Sequence, residues 1–260
     1  MYISDLFNEN EKPLEKLLPD SGFCGIFRTI GCVGDSLSSG EFQTPKGDGK
    51  WRYTDMFEYS WGQFIARAAG STVYNFSKGG MTAKRYMDSF AEEKGFWNPE
   101  LACQAYIIAL GANDQREVLC PLGEVSDVSA DESHYPDTFG GHYCAIIRRL
   151  KQIQPNAKFF LMTMPKTLDP VRNAKVEHIN EIIYKVAETF ENCYVMDFYK
   201  YAPVIDQLWK DKFWLNGHMN PMGYIMSAKQ IMSYMDYIIR HNTKDFDMVG
   251  FIGKEYLLEE

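Results

Sequence analysis

Five short runs of apolar residues, each too continuous to alternate inward and outward, constrain this chain most. They cover residues 25–33, 72–76, 105–110, 158–164 and 193–198. A strand wetted on one face alternates polar and apolar residues, whereas a strand apolar at successive positions is covered on both faces, as in a parallel sheet. Stretches with helical spacing separate the runs. Phe57, Trp61, Phe64, Ile65 and Ala68 mark one over residues 54–69, with Gly70 as its stop. Tyr143, Ile146, Ile147, Leu150 and Ile153 mark a second, ended by Pro155. Val176, Ile179, Ile183, Val186 and Phe190 mark a third, and Tyr224, Ala228, Ile231, Met235 and Ile238 a fourth. This alternation predicts an α/β fold: a three-layer α/β/α sandwich around a five-stranded, mostly parallel, flavodoxin-like sheet.

A length of 260 residues fits one domain, 1–260, with an N-terminal arm (1–22) and a C-terminal tail (241–260). The net charge of −8, with no basic patch against it, argues against a nucleic-acid partner. No run approaches the roughly 20 apolar residues of a membrane span, and the first residues lack a basic, then apolar, leader pattern. The expected compartment is the cytoplasm. The six cysteines form no C-x-x-C pair, and several sit in apolar runs as reduced thiols. H-E-x-x-H, the Walker A loop, G-x-G-x-x-G and G-x-S-x-G are all missing, and the five histidines show no ligand spacing. The expectation is therefore a site with no metal and no cofactor.

In a parallel sheet, ligands bind beyond the carboxyl ends of the strands. The first run, "IGCVGDSLSSGEF" from Ile30 to Phe42, breaks there into Gly34-Asp35-Ser36-Leu37. The second ends in Ser77-Lys78-Gly79-Gly80 and the third in Gly111-Ala112-Asn113-Asp114, while His218 lies near the C-terminus. These four blocks, in this order, resemble those of the SGNH hydrolases, the GDSL esterase and lipase superfamily. The resemblance spans Gly34 to Tyr224 and implies the SGNH hydrolase fold and a serine esterase or lipase acting on a small-molecule carboxylic ester. A small acyl or acetyl ester of a carbohydrate is one such substrate. Ser36 would be the nucleophile and His218 its base. The backbone N–H groups of Ser36 and Gly80 and the side-chain amide of Asn113 would form the oxyanion hole. Asp35 and Asp114 would brace their loops through backbone hydrogen bonds.

The chain departs from the family pattern at one position. An aspartate commonly stands three residues before the histidine and orients it, and here that residue is Leu215. Three outcomes are open: a Ser–His dyad oriented by a backbone carbonyl, an acid supplied from elsewhere (Glu41, Asp206 or Asp211), or a degenerate site. A non-catalytic ligand-binding module and an acyltransferase to an alcohol or sugar are the alternative functions. The irregular segment 115–137, which begins just after Asp114, is expected to border the pocket.

Overall fold

A computed structural model describes residues 3, 6 and 8–254; residues 1, 2, 4, 5 and 7 of the N-terminal arm and 255–260 of the C-terminal tail lie outside the described residues. Strands β1 (Thr29–Gly34), β4 (Thr72–Ser77), β5 (Ala105–Ala109), β6 (Lys158–Met162) and β7 (Cys193–Met196) form one sheet. Their order is β4-β1-β5-β6-β7 and every pairing is parallel. This is the flavodoxin-like order, whose direction of winding reverses between β1 and β5. Two antiparallel hairpins lie apart from it: β2 (Glu41–Gly47) with β3 (Lys50–Asp55), and β8 (Trp214–Leu215) with β9 (His218–Met219).

The helices follow in chain order: α1 (Ser36–Ser39), α2 (Trp61–Ala69), α3 (Ala83–Arg85), α4 (Ala91–Glu93), α5 (Phe139–Ile153), α6 (Pro170–Thr189), α7 (Phe198–Tyr201), α8 (Gln207–Phe213), α9 (Pro221–His241) and α10 (Thr243–Phe246). Successive strand residues serve opposite faces of the sheet. Tyr106, Ile108, Phe159 and Leu161 join one core with Ile147, Leu150, Ile179 and Ile183 of α5 and α6. Ala105, Ile107 and Phe160 join the other with Ile65 of α2 and Ile231 and Met235 of α9. Both faces of the sheet are covered, which is why its strands read as continuous apolar runs.

Local chemistry shifts several boundaries. Residues Gly22–Ile26 form a 3-10 turn rather than the start of β1; the Asp236 carboxylate accepts the Phe23 N–H at 2.8 Å and turns the chain there. The helix expected from residue 54 starts at Trp61, where Ser60 caps it by accepting the Gln63 N–H at 3.2 Å. Residues 41–55, in which no strand was anticipated, are the β2–β3 hairpin. Its two-residue connection has Asp48 at φ 55° and Gly49 at φ 68°, both left-handed as such a hairpin requires. In the C-terminal segment, Phe246 and Val249 are buried against the α9 face of the sheet. Among the described residues all six cysteines are free thiols, and no helix is long and apolar enough to cross a membrane.

Candidate active site

The first side of the site is the turn after β1. Asp35 caps α1 by accepting the Leu37 N–H at 3.0 Å, which makes Ser36 the first residue of that helix. Burial pushes the Asp35 carboxyl up to about 7, against the Leu37 hydrogen bond and reinforced by the nearby charge of Asp114. The Ser36 side chain makes no hydrogen bond among the described residues, and the backbone N–H groups of Ser36 and Gly80 have no acceptor there.

The loops after β4 and β5 are tied to this turn. Asn113 donates from Nδ2 to the Met81 carbonyl at 3.1 Å and, at 3.4 Å, to Asp35 Oδ2. Asp114 accepts the Ala83 N–H at 2.9 Å, while its second oxygen is buried without a partner. Burial raises its carboxyl to about 6. Asp35 and Asp114 thus brace the loops through backbone donors, as the sequence suggested. Gly80 holds φ at 71°, a left-handed conformation, and nothing stands within 4 Å of where a Cβ would be.

His218 arrives from the other direction. It is carried by β9, which packs against both α1 and β2. Its Nε2 lies 3.1 Å from Glu41 Oε1, and its Nδ1 faces Gln43 Oε1 at 3.5 Å. The edge of the Tyr53 ring stands 5.8 Å away, centroid to centroid. Only 15% of the His218 side chain and 13% of the Glu41 side chain are exposed, so desolvation acts on both. Burial lowers the His218 pKa and, helped by Asp55, raises that of Glu41. Both shifts disfavour the charged form of each group and so weaken the ion pair. A half-buried imidazole on a strand packed against α1, whose Ser36 N–H has no acceptor among the described residues, can accept a proton while an anion forms at that N–H.

Of the three candidate acids, Glu41 meets the histidine. Asp206 instead caps α8, accepting the Trp209 N–H at 2.8 Å, and Asp211 accepts from the Gln207 amide at 2.7 Å. Leu215 sits across the β8–β9 pair from His218. The sequence reading missed Gln43, which the β2–β3 hairpin carries beside Tyr53. The Asp48-Gly49 dipeptide is the signal that could have located that hairpin.

Behind the Asp35–Ser36 turn is an apolar cavity of about 130 Å³. Leu37, Met164, Trp209, Trp214, Met219 and Ile231 contribute to its wall. No residue of 115–137 lines it; that segment sends Leu122 and Val128 into the core and ties Gly123 to His178 at 2.7 Å. Among the described residues, no group of three His, Cys, Asp or Glu side chains is arranged to hold a metal ion.

Residues 32–225 match the family model of the GDSL-like Lipase/Acylhydrolase family. The chain belongs to that family. Its fold is that of SGNH esterase structures. A family two carbohydrate esterase from Clostridium thermocellum, solved with cellohexaose, superposes with a TM-score of 0.56 at 16% identity, over 90% of this chain and 66% of that one. A G-D-S-L family protein from Desulfitobacterium hafniense gives 0.51 at 19% identity, over 80% and 99%. The acetyl xylan esterase AlAXEase gives 0.51 at 17% identity, over 79% and 98%. No curated protein matches the chain in sequence. Within this GDSL-family chain, the matched span runs from Cys32 in β1 to Ile225 in α9 and so takes in all four blocks.

Proposed function

We propose that this GDSL-family chain is a serine ester hydrolase that cleaves a small carboxylic ester through an acyl-serine intermediate. Ser36 Oγ attacks the acyl carbonyl as His218 Nε2, released from Glu41, takes its proton. The N–H groups of Ser36 and Gly80 hold the oxyanion, and Asn113 turns its second Nδ2–H from Asp35 toward it. His218 then protonates the leaving alkoxide, and water attacks the acyl-serine to release the acid. No step needs a cofactor. The observation that carries this reading is the pair of unaccepted backbone donors at Ser36 and Gly80, held by the Asp35–Asn113–Met81 links beside the strand that bears His218.

The cavity supports an apolar acyl half. Its 130 Å³ is close to the roughly 150 Å³ of an apolar cavity known to hold benzene, so about four to six carbons fit. A carbohydrate acetyl ester is the second reading. It is favoured by Trp51 and Tyr53, exposed on β3 with Tyr53 beside His218, and by the carbohydrate esterases of like fold.

A panel of esters from acetyl to long acyl chains, including acetylated sugars, tests the proposal with wild type and Ser36→Ala. The expected result is turnover that peaks at short to medium acyl length and vanishes in the variant. Sole activity on acetylated sugars would favour the second reading. Added alcohol acceptors separate hydrolysis from acyl transfer by their products. Turnover unchanged in Ser36→Ala would overturn the mechanism.

A further inference from the structure

We propose that Gln43 is the residue that positions His218: its side-chain oxygen accepts the imidazole Nδ1–H, where a triad carboxylate would stand, and leaves Nε2 as the nitrogen that takes the proton. This rests on the reading of His218 as the base, and it fills the role left open by Leu215. The acceptor is a side-chain amide rather than the backbone carbonyl considered from the sequence.

An amide is ordinarily a poor substitute for that carboxylate. It can turn its N–H₂ toward the ring and hold the wrong tautomer, and the loss in a serine protease is about 10⁴ in rate. Here the amide cannot turn. Gln43 Oε1 accepts the Gly217 N–H at 2.7 Å, and Nε2 donates to the Tyr53 hydroxyl at 3.2 Å. A reversed amide would set N–H₂ against the Gly217 N–H and leave a buried donor without a partner. The oxygen therefore faces His218 as an acceptor; Glu41 Oε1 faces Nε2 at 3.1 Å, so Nδ1 holds the ring hydrogen when that carboxyl is protonated or has turned away to admit Ser36.

The surrounding backbone is built for this contact. A Cβ on residue 217 would come 2.3 Å from Gln43 Oε1, so only glycine lets the carboxamide reach the turn. Asn216, at φ 58°, donates its side-chain amide to the Gln43 carbonyl at 3.0 Å. Residue 43 is thus joined to the histidine's own turn at three points: main-chain oxygen, side-chain oxygen and the ring contact. Gln43 is 8% exposed, so water competes little for its oxygen.

The amide also sets the base's acidity differently. It carries only a partial charge, and stabilises the imidazolium less than a carboxylate would. The groups facing the ring are Glu41, Gln43, Tyr53 and, further off, Asp55.

The test combines tautomer and turnover. Histidine ¹⁵N spectra of folded Glu41→Ala, which has no carboxylate facing Nε2, taken near pH 8, roughly above the ordinary imidazole range, should show His218 protonated on Nδ1 and bare on Nε2. Gln43→Leu should remove that preference when added to Glu41→Ala and, alone, lower kcat by about 100-fold, with KM within about threefold. Gln43→Glu keeps an acceptor for both Gly217 and the ring. It should retain kcat within about tenfold and move the acid limb of the pH profile up by about one unit. A Glu41→Ala spectrum with the proton on Nε2, or a folded Gln43→Leu with unchanged kcat and pH profile, would overturn the proposal. The tautomer is read without turnover. A wild-type protein that hydrolyses no ester, while Glu41→Ala holds the proton on Nδ1, would uphold Gln43 and count against the hydrolase reading instead.

Discussion

At His218 the two ring nitrogens face different neighbours, Glu41 at 3.1 Å from Nε2 and Gln43 at 3.5 Å from Nδ1. A triad acid holds the nitrogen opposite the one that receives the nucleophile's proton. With Nδ1 turned to Gln43, Glu41 faces the nitrogen that the proposed mechanism gives to Ser36, and so would compete for it. Its other oxygen leans over Gly79, where a Cβ would have no room. Glu41→Gln is therefore expected to change kcat by less than about tenfold, and a loss of several thousandfold in the folded variant would make Glu41 the acid after all. Burial holds the His218 pKa below the ordinary imidazole value of 6.5. The base then stays neutral as pH falls through that value, and the acid limb of kcat/KM should have its midpoint below it. A midpoint above 6.5 would show a carboxylate stabilising the imidazolium. Asn113→Ala should lower kcat by roughly 10²–10³ with little change in KM, because its bond strengthens as the oxyanion forms. An effect confined to KM would make Asn113 a ground-state contact.

Among the elements, the turn that begins α1 concentrates the most unusual electrostatics. Asp35 is buried with a carboxyl raised to about 7, so the folded state binds its proton more tightly than the unfolded chain, where the value is about 3.9. The sign follows from linkage: this contribution is fully present below about pH 4 and is lost as pH rises toward 7. Asp35→Asn caps a helix as well and does not titrate. Urea midpoints measured at about pH 4 and pH 7 should fall less with rising pH in the variant than in wild type; equal falls would remove Asp35 from the account. The elements also show what the sequence made legible. The five strands and the helices on both faces follow from apolar periodicity, and three strand ends bring the Ser36, Gly80 and Asn113 loops together. Helix starts were misplaced where a cap decides them, α2 read too early and α9 too late. Asn220 accepts the Gly223 N–H at 2.9 Å and starts α9 at Pro221, ahead of the first apolar position, Tyr224. The β2–β3 hairpin was missed because all of β3 is exposed, so it offers no buried face for periodicity to register. Gln43 was missed with it, since its role depends on a contact 174 residues away in sequence.

Across the whole molecule, the sheet order explains why the proposed nucleophile, oxyanion loop and amide donor come from β1, β4 and β5. These three strands are adjacent, and the winding reverses between β1 and β5, which opens a crevice at their carboxyl ends. The fourth group, His218, comes from far along the chain and is brought in by the β8–β9 hairpin leaning on β2. The inserted hairpin thus joins the sheet end to the histidine, and the apolar cavity is walled by residues that flank Ser36 and Asn113, among them Asp35, Leu37 and Ala112. The central claim is that this convergence activates Ser36, and covalent labelling tests it most directly. Protein incubated with a fluorophosphonate at neutral pH, digested and mapped by mass spectrometry, should carry one adduct, on Ser36. The adduct should be absent from folded Ser36→Ala and strongly reduced in His218→Ala. A folded wild-type protein that takes up no probe, or that takes it up elsewhere with Ser36 unmodified, would contradict the account.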